Sequence, residues 1–142
     1  MITAELTKRV PFRALSQATV KQLITKAKPA LKIPEGFTLS VAIVSDQEIA
    51  KVNKKYRGKP AATDVLSFRY DDLSGEIIIA ADRVREQAKQ FGNTLSQEAA
   101  FMVVHGLVHI MGWDHTRSKK EEEQQQQLER KILQQCQINY AR

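Results

Sequence analysis

Residues 94–112 decide the fold of this chain, and they read Thr94-Leu-Ser-Gln-Glu-Ala-Ala-Phe-Met-Val-Val-His-Gly-Leu-Val-His-Ile-Met-Gly112. Thr94 or Ser96, with Glu98 shortly after, forms a pattern typical of a helix N-terminus. The rest of the stretch is apolar on nearly every side of a helix, and a helix of that kind is buried. We therefore predict that a helix ending near residue 110 runs through the core.

All three histidines of the chain lie in this helix or just after it, at His105, His109 and His115. Residues four apart share one helix face, so the imidazoles of His105 and His109 project together. Gly112 can adopt a left-handed conformation that ends the helix and turns the chain back, which brings His115 towards the same point. Three neutral imidazoles are a ligand set for zinc that leaves a fourth position open for water. The spacing predicts a metal site at the end of a buried helix.

Two other interpretations of this segment need comparison with the metal site. A helix with two packed or capping histidines and a third in a loop needs no metal, but ligand type, helical register and the glycine turn together favour a metal. The spacing also matches the metzincin metalloproteases, which carry a Glu general base directly after the first His. Gly106 occupies that position here. It supplies no base, and its helix-destabilising cost of about 1 kcal/mol indicates close approach of another element or of a substrate.

Composition restricts the classes of protein that remain. The formal net charge is +6, and it is uneven: residues 1–60 carry twelve Lys/Arg and four Asp/Glu, whereas residues 61–142 carry ten and twelve. A basic half suggests a polyanionic partner, nucleic acid first. No apolar stretch reaches bilayer length, and the N-terminus lacks the pattern of a signal peptide, so we expect a cytoplasmic protein. The single cysteine, Cys136, excludes an internal disulfide and is expected to be a packing residue.

The hydrophobic pattern predicts an α/β (α+β) fold in a single domain spanning residues 1–142. Two strand–helix–strand crossovers and one hairpin imply a mixed sheet of about four strands packed with about five helices. The predicted strands are 3–10, 37–44, 64–70 and 76–80. The predicted helices are 13–28, 46–56, 82–91, 94–110 and 118–137. The Gln-rich block at 121–127 is interpreted as a solvated helix surface.

Three segments together resemble one known family. Residues 105–115, His-Gly-Leu-Val-His-Ile-Met-Gly-Trp-Asp-His, are similar to the signature of the YbeY family of bacterial rRNA-processing metalloproteins. Residues 53–68, Asn-Lys-Lys-Tyr-Arg-Gly-Lys-Pro-Ala-Ala-Thr-Asp-Val-Leu-Ser-Phe, resemble a second block of that family. Gly75-Glu76 is a weaker match, because the family usually has Gly-Asp there, and Ala61-Ala62 replaces a loop that often carries charge. Neither departure affects the three histidines.

The resemblance implies a function as well as a fold. It implies a single-strand-specific endoribonuclease that acts in 16S rRNA 3′-end maturation and ribosome quality control, with 16S precursor rRNA and the small ribosomal subunit as partners. It also implies one zinc ion per chain, which His105, His109 and His115 would hold, although nickel also binds imidazole. These histidines and Arg57 are the expected catalytic residues. Arg57 lies in the second block, and its guanidinium could stabilise charge on the phosphodiester; the alternative is a surface ion pair.

Several neighbouring residues have two open interpretations. Asp64 could orient Arg57 or a ligand, or could simply begin a strand. Asp114 is expected to shape the turn rather than to bind metal or to act as a base. Trp113 is expected to pack on the core or cover the site rather than to stack on a base. The lysines near Arg57 could follow a nucleic-acid backbone, or each could be a solvated side chain. These are Lys51, Lys54, Lys55 and Lys59.

Three functions therefore compete at this stage. The first is a metal-dependent endoribonuclease acting on rRNA. The second is a ribosome-associated rRNA-binding factor whose metal is structural, which would require a fourth protein ligand to close the site. The third is a zinc metalloprotease, which only the ligand spacing supports. Cleavage of RNA would identify the endoribonuclease. A closed coordination sphere would identify the rRNA-binding factor, and peptidase activity would identify the metalloprotease.

Overall fold

A computed structural model describes residues 2–59, 61–113 and 118–140. Within these ranges the chain forms four strands and five helices, as the sequence predicts. In chain order they are β1 (Thr3–Lys8), α1 (Gln17–Leu31), β2 (Thr38–Val44), α2 (Asp46–Arg57), β3 (Val65–Asp71), β4 (Ser74–Ala80), α3 (Ala81–Phe91), α4 (Leu95–Ile110) and α5 (Lys119–Gln135). In the parts of the chain described, no helix has both the length and the apolar character that crossing a bilayer requires.

The four strands form one mixed sheet in the order β1-β2-β4-β3. β2 pairs in parallel with β1 and β4, and β3 pairs antiparallel with β4 at the edge. The predicted hairpin between β3 and β4 is confirmed. The prediction of two strand–helix–strand crossovers is only partly right. The connection β1–α1–β2 joins two neighbouring parallel strands and is such a crossover. The second connection differs, because α2 leads from β2 to the edge strand β3, and β4 then returns to lie between them.

The side chains of the two hairpin strands explain this order. Ile77, Ile78 and Ile79 of β4 are buried, and a strand apolar on both faces belongs in the centre of a sheet that is covered on both sides. Arg69 and Tyr70 of β3 are exposed, and charged or polar side chains are common on edge strands, where they discourage pairing with other chains. The apolar run therefore determines which hairpin strand lies inside.

Helix α4 is the central element of the core, as predicted. Eleven of its sixteen residues are buried, and it contacts α1, α3 and α5 as well as β3 and β4. Gly106 lies directly against β4 of the sheet. A Cβ atom at this position would lie 2.8 Å from Cδ1 of Ile77 and 2.9 Å from its Cγ1. The predicted close approach at Gly106 is therefore confirmed, and the approaching element is β4.

The start of α4 confirms one predicted capping residue and corrects its partner. Thr94 accepts a hydrogen bond from the backbone N–H of Gln97 at 3.1 Å, and the Gln97 side chain accepts one from the Thr94 N–H at 2.8 Å. This reciprocal pair is a capping box. Glu98 is not part of it. Its carboxylate is buried and accepts hydrogen bonds from Asn93 Nδ2 and from the Tyr140 hydroxyl.

Helix α1 differs most from its predicted bounds. It begins at Gln17, because the Ser16 hydroxyl accepts a hydrogen bond from the Thr19 N–H and caps the helix there. It continues past Pro29 to Leu31, and Lys32 ends it with a positive φ of 54°. Pro29 has no backbone N–H to donate to the carbonyl of Thr25, yet α1 continues for two more residues. The proline therefore does not set the helix end.

Candidate metal centre

His105 and His109 lie one turn apart on α4, and their imidazoles converge. The two Nε2 atoms are 3.0 Å apart, and the rings meet nearly edge to face, with centroids 4.4 Å apart and planes at 66°. Two ligands held about 2.0–2.1 Å from a tetrahedral zinc ion lie about 3.3–3.4 Å from each other. The observed separation is within a few tenths of an ångström of that value. The two side chains therefore fit adjacent coordination positions of one cation.

The outer nitrogen of His105 has a carboxylate partner that the sequence analysis missed. Nδ1 of His105 lies 2.6 Å from Oε2 of Glu129 on α5, and Glu129 is only 3% exposed. A carboxylate on Nδ1 holds the proton on that atom and leaves the Nε2 lone pair available for a metal. Since Glu129 contacts the opposite side of the ring from Nε2, it supports the ligand and does not compete with the metal.

The interpretation of residues 121–127 as a solvated helix surface is corrected at one position, because Gln125 is buried. The buried residues of this helix are Gln125, Glu129, Ile132 and Leu133. Their spacing is that of one helix face, so two polar residues occupy positions on the packing face. The sequence therefore contains this information, because the spacing places Glu129 on the same helix face as Ile132 and Leu133.

Aromatic rings hold the other side of His105. The Phe101 ring stacks on the His105 ring with centroids 5.4 Å apart, and Tyr140 stacks on Phe101 at 4.3 Å. The Tyr140 hydroxyl donates to the buried carboxylate of Glu98 at 2.8 Å. Since the stack and Glu129 contact His105 from different elements, the ring orientation is fixed by the fold, which is what a preorganised ligand requires.

Two clefts, each of about 550 Å³, meet at the histidine pair. His105, His109, Asp64 and Val65 line both clefts. The first cleft extends along β3 and includes Arg57. The second extends along α5. Its remaining wall includes Phe101, Glu122, Gln125, Glu129 and Tyr140.

The structure brings Arg57 to the same cleft as the histidines. Arg57 is the last residue of α2, it is exposed, and within the described ranges its guanidinium has no ion-pair partner. The alternative of a surface ion pair therefore finds no support. Arg69 lines this cleft too, but it donates hydrogen bonds to the backbone oxygens of Asp71 and Asp72 at 3.0 Å each. Arg57 is accordingly the more available of the two cations.

Asp64 contacts the start of β3 rather than Arg57. Its Oδ1 accepts hydrogen bonds from the Val65 N–H at 3.1 Å and the Thr63 hydroxyl at 3.2 Å. Its Oδ2 accepts one from Nε2 of Gln87 on α3 at 2.8 Å. These bonds support the strand-start interpretation, and they fix Asp64 where both clefts meet.

The turn after α4 is described only in part. Gly112 has a φ of +104°, as the predicted turn requires, and Trp113 packs against the main core cluster. Asp114 and His115 lie outside the described residues, so the position of the third imidazole stays a prediction. Among the residues that are described, no group of three His, Cys, Asp or Glu side chains that could hold a metal is found.

The remaining candidate residues have simple surroundings. Lys51, Lys54, Lys55 and Lys59 are all exposed on or just after α2. Cys136, at the end of α5, is buried, and burial raises the pKa of its thiol. This supports its interpretation as a packing residue.

Replacing Glu129 with Gln is expected to lower zinc affinity about 10–100-fold, the usual effect of losing a carboxylate that supports a ligating histidine. Glutamine keeps the size of the side chain and removes the charge that fixes the Nδ1 proton. Glu123→Gln is the matched control, because Glu123 is exposed on the same helix. Zinc affinity is measured by competition with a chromogenic chelator, and equal affinities for the two variants would contradict the supporting role of Glu129.

Comparisons with known proteins identify relatives across most of the chain. The model of the family described as Endoribonuclease YbeY matches residues 2–137. The Endoribonuclease YbeY of Bacillus licheniformis is 36% identical over 130 residues, covering 81% of this chain and 81% of the relative. The protein of the same name from Thermodesulfovibrio yellowstonii is 40% identical over 114 residues, covering 75% and 72%. A solution structure of a Thermotoga maritima protein, TM1509, superposes with a TM-score of 0.62 at 28% identity, covering 96% of this chain and 92% of that one.

Proposed function

This chain belongs to the endoribonuclease YbeY family and is an endoribonuclease, and from that premise we propose that it is a single-strand-specific, zinc-dependent enzyme. We propose further that it acts in 16S rRNA 3′-end maturation and ribosome quality control. The observation that carries the metal dependence is the convergence of the His105 and His109 Nε2 atoms at 3.0 Å, with Glu129 on the outer nitrogen of His105.

The proposed metal centre holds one zinc ion per chain between His105, His109 and His115. The donor set fits, since two imidazole nitrogens already face one point where two clefts meet. A zinc ion bound there supplies Lewis-acid polarisation of a phosphoryl oxygen, or hydroxide at neutral pH. Among the described residues, no third His, Cys, Asp or Glu side chain joins the two Nε2 atoms to close the site, and both clefts reach this point. This accessibility favours a catalytic over a structural metal.

The catalytic residues of the chain itself are Arg57 and the histidines. Arg57 lies in the cleft that leads to the histidines, and its guanidinium can bind a phosphodiester through two parallel hydrogen bonds. It would stabilise negative charge that builds on the phosphate during cleavage. Glu129 retains the proton on Nδ1 of His105 and so keeps Nε2 directed at the metal.

The size of the clefts supports a single-stranded substrate. Each cleft has a volume of about 550 Å³, which is within the usual range for small-molecule sites. Such a cleft admits individual nucleotides of an unpaired strand, whereas a double helix is recognised across an open surface many base pairs long. The net charge of +6 favours binding of the rRNA backbone. The small ribosomal subunit and a cytoplasmic location follow from the same proposal.

The experiment that tests this function is metal removal in a cleavage assay. The purified protein is incubated with an end-labelled unstructured RNA, and with the same strand annealed to its complement. We expect cleavage of the single strand only, complete loss of cleavage after chelation, and recovery on addition of zinc. The product ends identify the nucleophile, because a 2′,3′-cyclic phosphate indicates the neighbouring hydroxyl and a 5′-phosphate indicates water.

Two outcomes would contradict the proposal. Equal cleavage of the duplex and the single strand would refute the strand specificity. Tight RNA binding without cleavage at any metal concentration would instead favour the rRNA-binding factor with a structural metal. The match to an endoribonuclease family gives the metalloprotease alternative no support.

A further inference from the structure

Three aromatic rings form a continuous strip along the edge of the sheet, outside the clefts of the metal centre. The strip consists of Tyr56 at the end of α2 and of Phe68 and Tyr70 on β3. The Tyr56 and Phe68 centroids are 5.3 Å apart, and Phe68 and Tyr70 are nearly parallel at 6.4 Å. Tyr56 is 62% exposed and Tyr70 is 63% exposed. We call these three residues the aromatic strip.

The rings of the aromatic strip are held in place by the fold. Phe68 packs against a small cluster of buried residues that includes Ile49 and Leu66. Phe68 and Tyr70 are two apart on β3, so they share one face of the strand. The Tyr70 hydroxyl donates to Oε1 of Glu76 at 2.5 Å. Partial burial and then this carboxylate raise the pKa of Tyr70 to about 12, so the hydroxyl remains a donor at neutral pH.

The strip lies next to a group of cations at one of its ends. Lys54, Lys55 and Arg57 form the last turn of α2, and Lys59 follows. The Lys55 ammonium lies 5.4 Å from the Tyr56 ring centroid. At the other end, the exposed carboxylate of Asp71 accepts hydrogen bonds from the Leu73 N–H and the Ser74 hydroxyl. The charge around the strip is therefore positive at the Tyr56 end.

Exposed rings beside cations match the chemistry of unpaired RNA. Every base has a face that stacks on an aromatic ring, and lysine and arginine side chains bind the backbone, so this combination recognises single strands with little sequence preference. Isolated exposed hydrophobic residues are ordinary on protein surfaces. Here, however, the two exposed tyrosines flank one fixed phenylalanine and adjoin the last turn of α2, whose cations have no ion-pair partner among the described residues.

We propose that the aromatic strip is a binding site for unpaired RNA bases outside the cleavage site, and that the cations after Tyr56 carry the backbone from it to the metal centre. Phe68 and Tyr70 alternate along β3 with Ser67 and Arg69, which line the cleft, so the strip lies on the other face of this edge strand and the backbone passes around the edge. Arg57 marks this path, because it directly follows Tyr56 in the chain and lines the cleft that contains His105 and His109. The inference rests on the proposed function and assigns the part of the substrate that lies beyond the clefts. It also gives Glu76 a role, since its carboxylate fixes the outer ring of the strip.

The test compares two double variants in RNA binding. Tyr56→Ala/Tyr70→Ala removes both exposed rings, whereas Tyr56→Phe/Tyr70→Phe keeps both ring faces. Affinity of the zinc-loaded protein for a fluorescent single-stranded 2′-O-methyl RNA is measured by anisotropy, and a gel verifies that the oligonucleotide stays intact. Loss of a base stack weakens single-strand binding by about tenfold or more. We expect at least that loss in the alanine variant and a clearly smaller loss in the phenylalanine variant, which keeps both rings and lacks only the hydrogen bond from Tyr70 to Glu76.

Leu73→Ala serves as a further control, because Leu73 is an exposed apolar residue of the adjacent turn and is not part of the strip. Wild-type affinity in the tyrosine-to-alanine variant would overturn the proposal, as would an equal loss in Leu73→Ala. This result is distinguishable from failure of the proposed function. If the wild type binds RNA through the rings and never cleaves it, the proposed cleavage function is wrong, whereas the proposal that the aromatic strip binds RNA bases is supported.

Discussion

Replacing His109 with Ala is expected to abolish RNA cleavage and zinc binding together. The variant loses one of the two Nε2 atoms that lie 3.0 Å apart, and with it one of the proposed metal ligands. A zinc ion lowers the pKa of a water molecule bound to it to about 7, so loss of the ion is expected to reduce cleavage by on the order of 10³-fold or more. Elemental analysis and a single-turnover cleavage assay on the same samples measure both effects.

A contaminating nuclease is the main alternative source of any residual activity in that experiment. Lys119→Ala, an exposed substitution at the start of α5, is purified in parallel and is expected to retain full activity and zinc. The melting temperature distinguishes a catalytic from a structural metal. If the metal is catalytic, His109→Ala should lose RNA cleavage but keep a melting temperature close to that of the wild type. If the variant kept stoichiometric zinc and cleaved RNA at the wild-type rate, the histidine pair would not be the reactive centre.

The sequence predicted α4 and its histidines because the information is local. Apolar residues on all sides of one helix required burial, and a four-residue spacing placed His105 and His109 on the same face without knowledge of any other element. Gly106 was predictable for the same reason, since its only structural advantage in a helix is the absence of a side chain. Arg57 needed the family resemblance, because an exposed arginine at a helix end has no distinctive pattern.

The missed features depend on contacts between elements far apart in the chain. Glu129 is 24 residues from His105, and their contact exists only because α5 packs on α4. Glu98 is 42 residues from Tyr140 in the network behind His105, and its place near the start of α4 indicates a capping residue instead. The central place of β4 follows from competition between two hairpin strands for the interior. In each case the sequence shows the polar or apolar pattern, but it does not show which distant residue or strand that pattern contacts.

Replacing Arg57 with Ala is expected to lower the cleavage rate about 10²–10³-fold while zinc content stays at the wild-type level. The guanidinium lines the cleft that leads to the histidines but is not itself a metal ligand, so its loss should affect the transition state and leave the metal centre intact. Mutations that remove one group stabilising developing charge have effects of about that size. Single-turnover rates at saturating RNA, together with elemental analysis, measure this separation.

Two further substitutions determine whether geometry or charge carries the effect of Arg57. Arg57→Lys keeps the charge but loses the planar pair of donors, so it should recover only a small part of the rate if the guanidinium binds the phosphate through two bonds. Lys51→Ala removes one positive charge from the exposed face of the same helix and should change the rate little. Full recovery by lysine, or an equal loss in Lys51→Ala, would show that α2 contributes only general attraction for RNA.

Since Arg57 is exposed and has no ion-pair partner in the described part of the chain, the stability of all three variants should match the wild type, and a rate change can then be attributed to the reaction itself.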